Sequence, residues 1–169
     1  MGGICGGYQL LGHTIRDPDR LESDDECVGG LGLLPVETTF ASPKIVKQVS
    51  GRHPESGCAV VGYQVRMGRT KFPSEAQPFL ELKDDQSDKP RPEGMCLHGG
   101  RLFGTYLHGL FDQASFRRWW LNRLRQPKGW TALPETHGPS LDERLDRLAD
   151  FVEQHLDITM IERILEEGV

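Results

Sequence analysis

The sequence has few cysteines, no long apolar run and no spacing typical of a metal site. Four cysteines (Cys5, Cys27, Cys58 and Cys96) are scattered irregularly over 169 residues, which argues against a disulfide framework in a chain with no secretory signal. C-x-x-C and H-x-x-x-H spacings are absent, so we expect reduced thiols and no bound metal. No apolar stretch approaches the roughly 20 residues that cross a bilayer. We therefore expect a cytoplasmic protein without a membrane partner.

The charge pattern argues against nucleic acid as a partner. Twenty basic and 25 acidic residues give a net charge of -5, and no cluster of Lys and Arg is long enough to bind a phosphate backbone. Nucleic acid is therefore not an expected partner. The segment "GGLGLL" from Gly29 lacks the third glycine of G-x-G-x-x-G, and no G-K-[ST] is present. The sequence consequently predicts no ATP site within this chain.

The composition and the apolar patterns predict one α/β domain. With 37% hydrophobic and 27% charged residues, the chain has the composition of an ordinary globular domain. A short helix is predicted over residues 8–14 and a polar loop over 17–26. A surface loop is predicted over the Pro- and Asp-rich residues 84–94. Runs rich in Val, Ile, Thr, Tyr and Phe predict strands over residues 32–40, 44–49, 58–67 and 102–108.

Helical patterns fill the C-terminal part of the chain. A helix is predicted after Asp112, with that carboxylate as its cap. Its apolar side chains fall largely on one face: Phe116, Trp119, Trp120 and Leu124. The two tryptophans are expected to be core or packing residues. Ser140 and Glu143 form an S-x-x-E capping box before a second helix. A further short helix is predicted from Asp157 to a stop at Gly168, and the apolar stripe of both helices is expected to face inward.

One short segment, "GGICGGYQLLG" at residues 2–12, has the form of a nucleophile elbow. Cys5 stands between glycines, with apolar Ile4 before it and a helical pattern after it. A sharp turn from strand to helix holds a nucleophile in a strained, exposed position. At the helix N-terminus the positive end of the dipole favours a thiolate. The amide of Gly6 would face the oxyanion formed on an attacked carbonyl.

A nucleophilic cysteine also needs a base, and His108 is the best-placed candidate among six histidines. It ends the strand-like run "RLFGTYLHGLF" beside Gly109, which places it at the rim of the predicted sheet, where the elbow would also lie. From the residues alone, a structural role for His108 stays open. The other histidines have no comparable setting and are taken as surface or structural residues: His13, His53, His98, His137 and His155.

Four segments together resemble a known family. "GICGGYQLLG" resembles the G-x-C-x-G-x-Q elbow of the class I (triad-type) glutamine amidotransferases, and "GTYLHGLF" resembles the histidine motif of their cobyric acid synthase branch. "GLGLLPVETTF" and "GYQVRMGRT" agree with the same branch in order and spacing. The resemblance implies a flavodoxin-like three-layer α/β fold, with residues 1–169 as a partial amidotransferase domain that includes C-terminal helices over about 140–168.

The same resemblance implies a reaction and its residues. Cys5 would attack the side-chain amide of glutamine, His108 would act as base, Gly6 would hold the oxyanion and Gln9 would contact glutamine. Tyr63 and Arg66 would shape the rim of the site, although a strand and turn with solvated side chains explains them equally well. The ammonia would pass to a synthetase domain, outside this chain, that uses ATP and Mg to amidate carboxylates of a corrin substrate. This chain itself would hold no cofactor.

This sequence departs from the pattern of the family in two places. Most class I members carry H-P-E, whereas Gly109 and Leu110 follow His108 here, as in the cobyric acid synthase branch. The group that orients His108 is therefore unassigned; Asp112 is a candidate, better explained as a helix cap. The elbow also lies at the start of the chain, where the family has several preceding strands, a second oxyanion donor and a synthetase domain.

That second departure leads to further expectations and to two alternatives. We expect a truncated reading frame, too few residues before Cys5 for an ordinary strand, marginal stability and little activity in the isolated chain. One alternative is a catalytically silent or partner-dependent fragment. The other is a cysteine hydrolase of another type that uses the same elbow.

Overall fold

The computed structural model describes residues 1–84, 87–136 and 138–168. It divides into two compact units, Met1–Glu135 and Thr136–Val169. Among the described residues, no helix is both long enough and apolar enough to cross a membrane. His137, expected to be a surface or structural histidine, lies outside the described residues.

The first unit contains the strands and two of the helices. The strands of the described residues are β1 (Gly2–Ile4), β2 (Thr14–Arg16), β3 (Cys27–Gly29), β4 (Glu37–Arg52), β5 (Ala59–Lys71), β6 (Leu80–Asp84), β7 (Ser87–Glu93), β8 (Met95–Leu97) and β9 (Leu102–Thr105). The helices are α1 (Gly6–Leu11) and α2 (Ala114–Arg125), the latter preceded by a short 3-10 turn at Leu110–Asp112. The α/β class predicted from the sequence is confirmed.

A small sheet carries the segment before Cys5. Its order is β1-β9-β8, with β1 parallel to β9 and β8 antiparallel to β9. Gly2, Gly3 and Ile4 pair with Phe103, Gly104 and Thr105. A strand of only three residues therefore does form before Cys5, because β9 supplies its hydrogen-bonding partner.

A larger, mostly antiparallel sheet lies beside it, in the order β3-β2-β4-β6-β7, with β5 paired to β4. The β4 and β5 strands form a long antiparallel pair, whose register shifts between Phe40 and Ile45. The opposite edge of β5 pairs with another part of the chain at one isolated bridge, between Tyr63 and His108. This second edge of β5 therefore lies beside His108.

Two apolar clusters hold the first unit together. In the larger one, Phe116 and Trp120 of α2 pack on strand residues, and Trp119 packs against its margin. The smaller one joins α1 to the chain around β8 and β9 and contains Tyr8, Leu11, Leu34, Val36, Met95 and Tyr106. The packing role predicted for the two tryptophans is therefore confirmed. Leu124, on the same predicted face, is exposed.

Three other sequence predictions differ from the structure. The separate strands predicted over 32–40 and 44–49 are one strand, β4, because its pairing with β5 continues on both sides of the register shift. Residues 84–94 are not simply a loop, since β7 pairs antiparallel with β6 despite its prolines. Asp112 caps no helix: Gln113 occupies the N-cap of α2 and makes no side-chain cap.

The second unit consists of α3 (Leu141–His155) and α4 (Ile158–Glu167). The predicted capping box is present, since Ser140 Oγ accepts from the Glu143 amide and the Glu143 carboxylate accepts from the Ser140 amide. Asp157 caps α4, and Gly168 follows its last turn. The prediction that the apolar stripe faces inward is wrong, because no residue of either helix is buried. Two helices alone form too thin a layer to cover their own apolar faces.

We predict that His53 makes the stability of the first unit depend on pH. Its ring packs among Phe79, Phe116 and Trp119, and burial lowers the pKa of His53 from 6.5 to about 4. Between these two values the unfolded chain binds a proton that the folded chain does not. The free energy of unfolding should therefore fall as pH falls through this window, by up to about 1.4 kcal/mol per pH unit.

Urea unfolding at pH 7.5 and 5.5 measures this effect, with His53→Asn as the matched control. Asn offers an oxygen in place of the ring nitrogen that accepts from the Ser56 amide, and it does not titrate. The variant should be less stable at pH 7.5 but lose less stability on acidification. An equal loss in both proteins would show that His53 is not the titrating group.

Candidate active site

Cys5 lies at the sharp turn between β1 and α1, in a backbone conformation that side chains rarely adopt. Its φ is 54° and its ψ is -113°, which costs about 1–3 kcal/mol for a residue other than glycine. The Cys5 amide donates to the Thr105 carbonyl at 2.9 Å, and the Cys5 carbonyl accepts from Tyr8 and Gln9. The strand–Cys5–helix geometry predicted from the sequence is therefore present, held by hydrogen bonds on both sides.

Two glycines allow this turn to close. A Cβ on Gly3 would lie 2.5 Å from the Gly7 carbonyl oxygen, and a Cβ on Gly104 would lie 1.8 Å from the ring of Tyr8. Real Cβ atoms do not approach backbone and ring atoms so closely, so a side chain at either position would push α1 away from β1 and β9. Gly3 and Gly104 are thus needed for the close packing of α1 on β1 and β9.

Gly6, the first residue of α1, presents its amide beside Cys5. The first amides of a helix have no carbonyl acceptor within that helix. Gly6 is also exposed, and a Cβ built on it would meet no atom within 4 Å. The Gly6 amide is therefore a candidate donor to the oxygen of a substrate that reacts with Cys5.

His108 follows β9 and is held against Tyr63 of β5. The two residues form a backbone bridge, with the His108 amide donating to the Tyr63 carbonyl at 2.9 Å and the Tyr63 amide donating back at 3.3 Å. Their rings stack with centroids 5.0 Å apart and an interplanar angle of 7°. His108 Nδ1 lies 3.3 Å from the Tyr63 carbonyl oxygen. Since a carbonyl only accepts, this contact favours a proton on Nδ1 and leaves Nε2 as the basic nitrogen.

Cys5 and His108 meet the same edge of β5. The Cys5 thiol donates to the Val65 carbonyl, with Sγ 3.6 Å from the oxygen, while His108 contacts the Tyr63 carbonyl. Carbonyls two residues apart in a strand point the same way and lie roughly 7 Å apart. The structure therefore brings the two predicted residues to adjacent positions along one strand edge.

Gln9 belongs to a buried polar network. It is 8% exposed, and its Nε2 donates to the Tyr106 hydroxyl at 3.3 Å. The Tyr106 hydroxyl in turn contacts Thr70 Oγ1 at 2.5 Å, and Thr70 contacts Thr38 at 2.7 Å. A Cβ on Gly68 would strike both the Gln9 amide and the Tyr106 hydroxyl. The side chain of Gln9 is thus fixed in place by its neighbours.

The two residues predicted at the rim occupy different depths. Tyr63 is 47% exposed and lies at the surface beside His108. Arg66 is half-buried, with its guanidinium 4.6 Å from the centre of the Tyr106 ring and a buried Nε that has no hydrogen-bond partner. Burial lowers the pKa of Arg66, opposed by the nearby Tyr106, Glu93 and Cys5. Arg66 is therefore a half-buried residue packed on Tyr106 rather than a residue at the surface.

Glu93, at the end of β7, is a residue that the sequence analysis missed. Its carboxylate accepts from Thr105 Oγ1 at 2.6 Å and from the Tyr106 amide at 2.7 Å. Burial raises the pKa of Glu93, while these hydrogen bonds and Arg66 lower it. The residue stands in the stretch predicted as a surface loop, where an acidic side chain gives no signal of a buried role.

The remaining candidates lie outside this group. The carboxylate of Asp112 lies beside Gly109, whereas the side chain of His108 contacts the Tyr63 carbonyl. Burial raises the pKa of the Cys96 thiol, which lies in the apolar core. In the described part of the chain, no group of three or more His, Cys, Asp or Glu residues could hold a metal ion.

Comparison with known proteins shows the family of this chain. Residues 1–116 match the CobB/CobQ-like glutamine amidotransferase domain family. The chain is 42% identical over 170 residues to a cobyric acid synthase of Synechocystis sp., a match that covers 98% of this chain and 33% of that protein.

Two further cobyric acid synthases give similar values. The protein of Dehalococcoides mccartyi is 40% identical over 177 residues, covering 99% of this chain and 35% of the relative. The protein of Streptococcus sanguinis is 41% identical over 167 residues, covering 96% of this chain and 33% of the relative. The chain spans about a third of the length of these curated relatives. By its sequence match and its elbow, the chain belongs to the CobB/CobQ-like glutamine amidotransferase domain family.

Proposed function

We propose that this chain is the glutaminase part of a cobyric acid synthase and hydrolyses glutamine to glutamate and ammonia. The observation that carries the proposal is the position of a strained cysteine and a histidine along one edge of β5, in a chain of a glutamine amidotransferase family. We assign Cys5 as nucleophile, His108 as general acid and base, and the Gly6 amide as oxyanion donor.

In the first half of the reaction, Cys5 leaves its hydrogen bond to Val65 and gives its proton to His108 Nε2. The thiolate attacks the side-chain carbonyl carbon of glutamine, and the Gly6 amide binds the oxygen that becomes negative. His108 then returns the proton to the departing nitrogen as the carbon–nitrogen bond breaks. Ammonia leaves, and a glutamyl thioester remains on Cys5.

In the second half, water attacks the thioester carbon while His108 Nε2 takes a proton from the water. The carbon–sulfur bond breaks, His108 returns that proton to Cys5 Sγ, and glutamate leaves. The net reaction consumes one glutamine and one water and yields one glutamate and one ammonia. The Tyr63 carbonyl, through Nδ1 of His108, keeps the imidazole in the tautomer that this cycle needs.

The use of the ammonia belongs to the longer protein that the relatives represent. We propose that a synthetase domain outside this chain consumes it, with ATP and Mg, to amidate carboxylates of a corrin substrate. The support is that the relatives are cobyric acid synthases about three times as long as this chain. The cytoplasmic location expected from the sequence stays a prediction.

A second candidate function is a partner-dependent fragment. It is favoured by the comparison with the relatives, since this chain spans only about a third of their length. A segment outside this chain would then supply a second donor. Glutamate release that appears only after a synthetase domain of a relative is added would favour this candidate over a self-sufficient glutaminase.

We predict that Cys5→Ser and His108→Gln abolish glutamine hydrolysis, measured as glutamate release. Cys5→Ser should lower kcat at least 1,000-fold, because a serine hydroxyl is a far weaker nucleophile at neutral pH. His108→Gln should lower kcat by about 100- to 10,000-fold, which is the contribution of a general acid–base group.

The matched control is Cys27→Ser, since Cys27 is exposed and lies in β3, away from the elbow. This variant should keep the activity of the wild-type chain. Full activity in Cys5→Ser would refute the proposed mechanism, and equal losses in Cys5→Ser and Cys27→Ser would point to a loss of folding instead.

We also predict that Gln9 acts mainly on glutamine binding. Gln9→Met should raise KM about tenfold or more while kcat changes little, because the amide that contacts the substrate is replaced by an apolar side chain of similar length. Tyr106→Phe is the control, since it removes the hydroxyl that accepts from Gln9 but keeps the Gln9 amide. A fall in kcat at unchanged KM in Gln9→Met would contradict this role.

A further inference from the structure

Thr105 lies where the elbow of Cys5 meets the segment that carries His108. The residue is fully buried, with 0% exposure. Its backbone carbonyl accepts from the Cys5 amide at 2.9 Å. Its hydroxyl accepts from the Leu107 amide at 3.0 Å, one residue before His108. A single side chain and its backbone therefore touch both parts of the candidate site.

The carboxylate of Glu93 completes this connection. Oε2 accepts a hydrogen bond from Thr105 Oγ1 at 2.6 Å. This bond orients the hydroxyl so that its lone pair faces the Leu107 amide. Oε1 accepts from the Tyr106 amide at 2.7 Å. The Tyr106 amide thus donates to Glu93, and the Leu107 amide donates to Thr105. Two successive residues before His108 are fixed by side chains rather than by strand pairing, since β9 ends at Thr105.

The local backbone holds Glu93 close to β9. The next residue, Gly94, has a φ of 65°, and a Cβ there would lie 2.3 Å from the Gly104 carbonyl oxygen. Only glycine allows this close crossing in this conformation. Burial raises the pKa of Glu93, and the hydrogen bonds and the nearby Arg66 only partly offset this effect. The carboxylate is therefore enclosed by donors and has a nearby cation.

We propose that Glu93 and Thr105 are positioning residues that fix His108 relative to Cys5, in place of the carboxylate that follows the histidine in H-P-E members of the family. The inference rests on the proposed glutaminase function. The pair fixes the backbone of residues 105–107. The bridge between His108 and Tyr63 then fixes the position of the imidazole. Misplacement of a general base by about 1 Å can lower a rate about 100-fold.

Three substitutions test this arrangement. Thr105→Val keeps the shape of the side chain but removes the hydroxyl, which leaves the Leu107 amide without its acceptor. It should lower kcat for glutamine hydrolysis at least tenfold, with KM within twofold of the wild-type value. Thr105→Ser restores the hydroxyl and should recover kcat to within threefold. Glu93→Gln, which keeps the shape but places an amide against Thr105, should lower kcat less than Thr105→Val does.

A second measurement does not depend on activity. Hydrogen–deuterium exchange should be at least tenfold faster over residues 105–108 in Thr105→Val than in the wild-type chain and in Thr105→Ser. Exchange in α2 should be unchanged, which shows that the unit stays folded.

Unchanged exchange over residues 105–108, or equal losses of kcat in Thr105→Val and Thr105→Ser, would overturn the inference. A wild-type chain that hydrolyses no glutamine would instead count against the proposed function. The exchange comparison would still decide whether the pair holds the His108 segment.

Discussion

The parallel pairing of β1 with β9 is the constraint on which the candidate site depends. It continues one step beyond the strand, through the hydrogen bond from the Cys5 amide to the Thr105 carbonyl. The next residues turn back as α1, which packs so tightly on the two strands that Gly3 and Gly104 leave no room for a side chain. Cys5 is then left in a positive-φ conformation, and this strain is maintained by the bonds on either side of it.

The same strand, β9, leads to the second member of the site. Three residues after Thr105 the chain reaches His108, and the bridge to Tyr63 attaches it to β5. The thiol of Cys5 contacts the neighbouring carbonyl on that edge. The histidine is therefore oriented by a backbone carbonyl and by stacking on Tyr63, without a carboxylate that contacts the imidazole among the described residues. Backbone groups are suited to this role because pairing in the sheet fixes their positions.

Local signals explain which features could be predicted from the sequence. The elbow and the capping box of α3 each lie within a few consecutive residues, and both were predicted correctly. Glu93 and β7 were missed because a Pro-rich stretch becomes a strand only through its pairing with β6. The cap assigned to Asp112 was wrong because the chain first makes a 3-10 turn, so Gln113 precedes α2. The contact of His108 with Tyr63 spans 45 residues, and no local pattern reveals it.

The central claim is that Cys5, at its strained turn, reacts with glutamine. The most direct measurement is covalent labelling of the purified chain with a reactive glutamine analogue, followed by peptide mass spectrometry. Cys27, Cys58 and Cys96 serve as internal references of different exposure. The account predicts an adduct on Cys5 alone that excess glutamine suppresses. Labelling that follows exposure, with Cys27 modified first and no protection by glutamine, would contradict it.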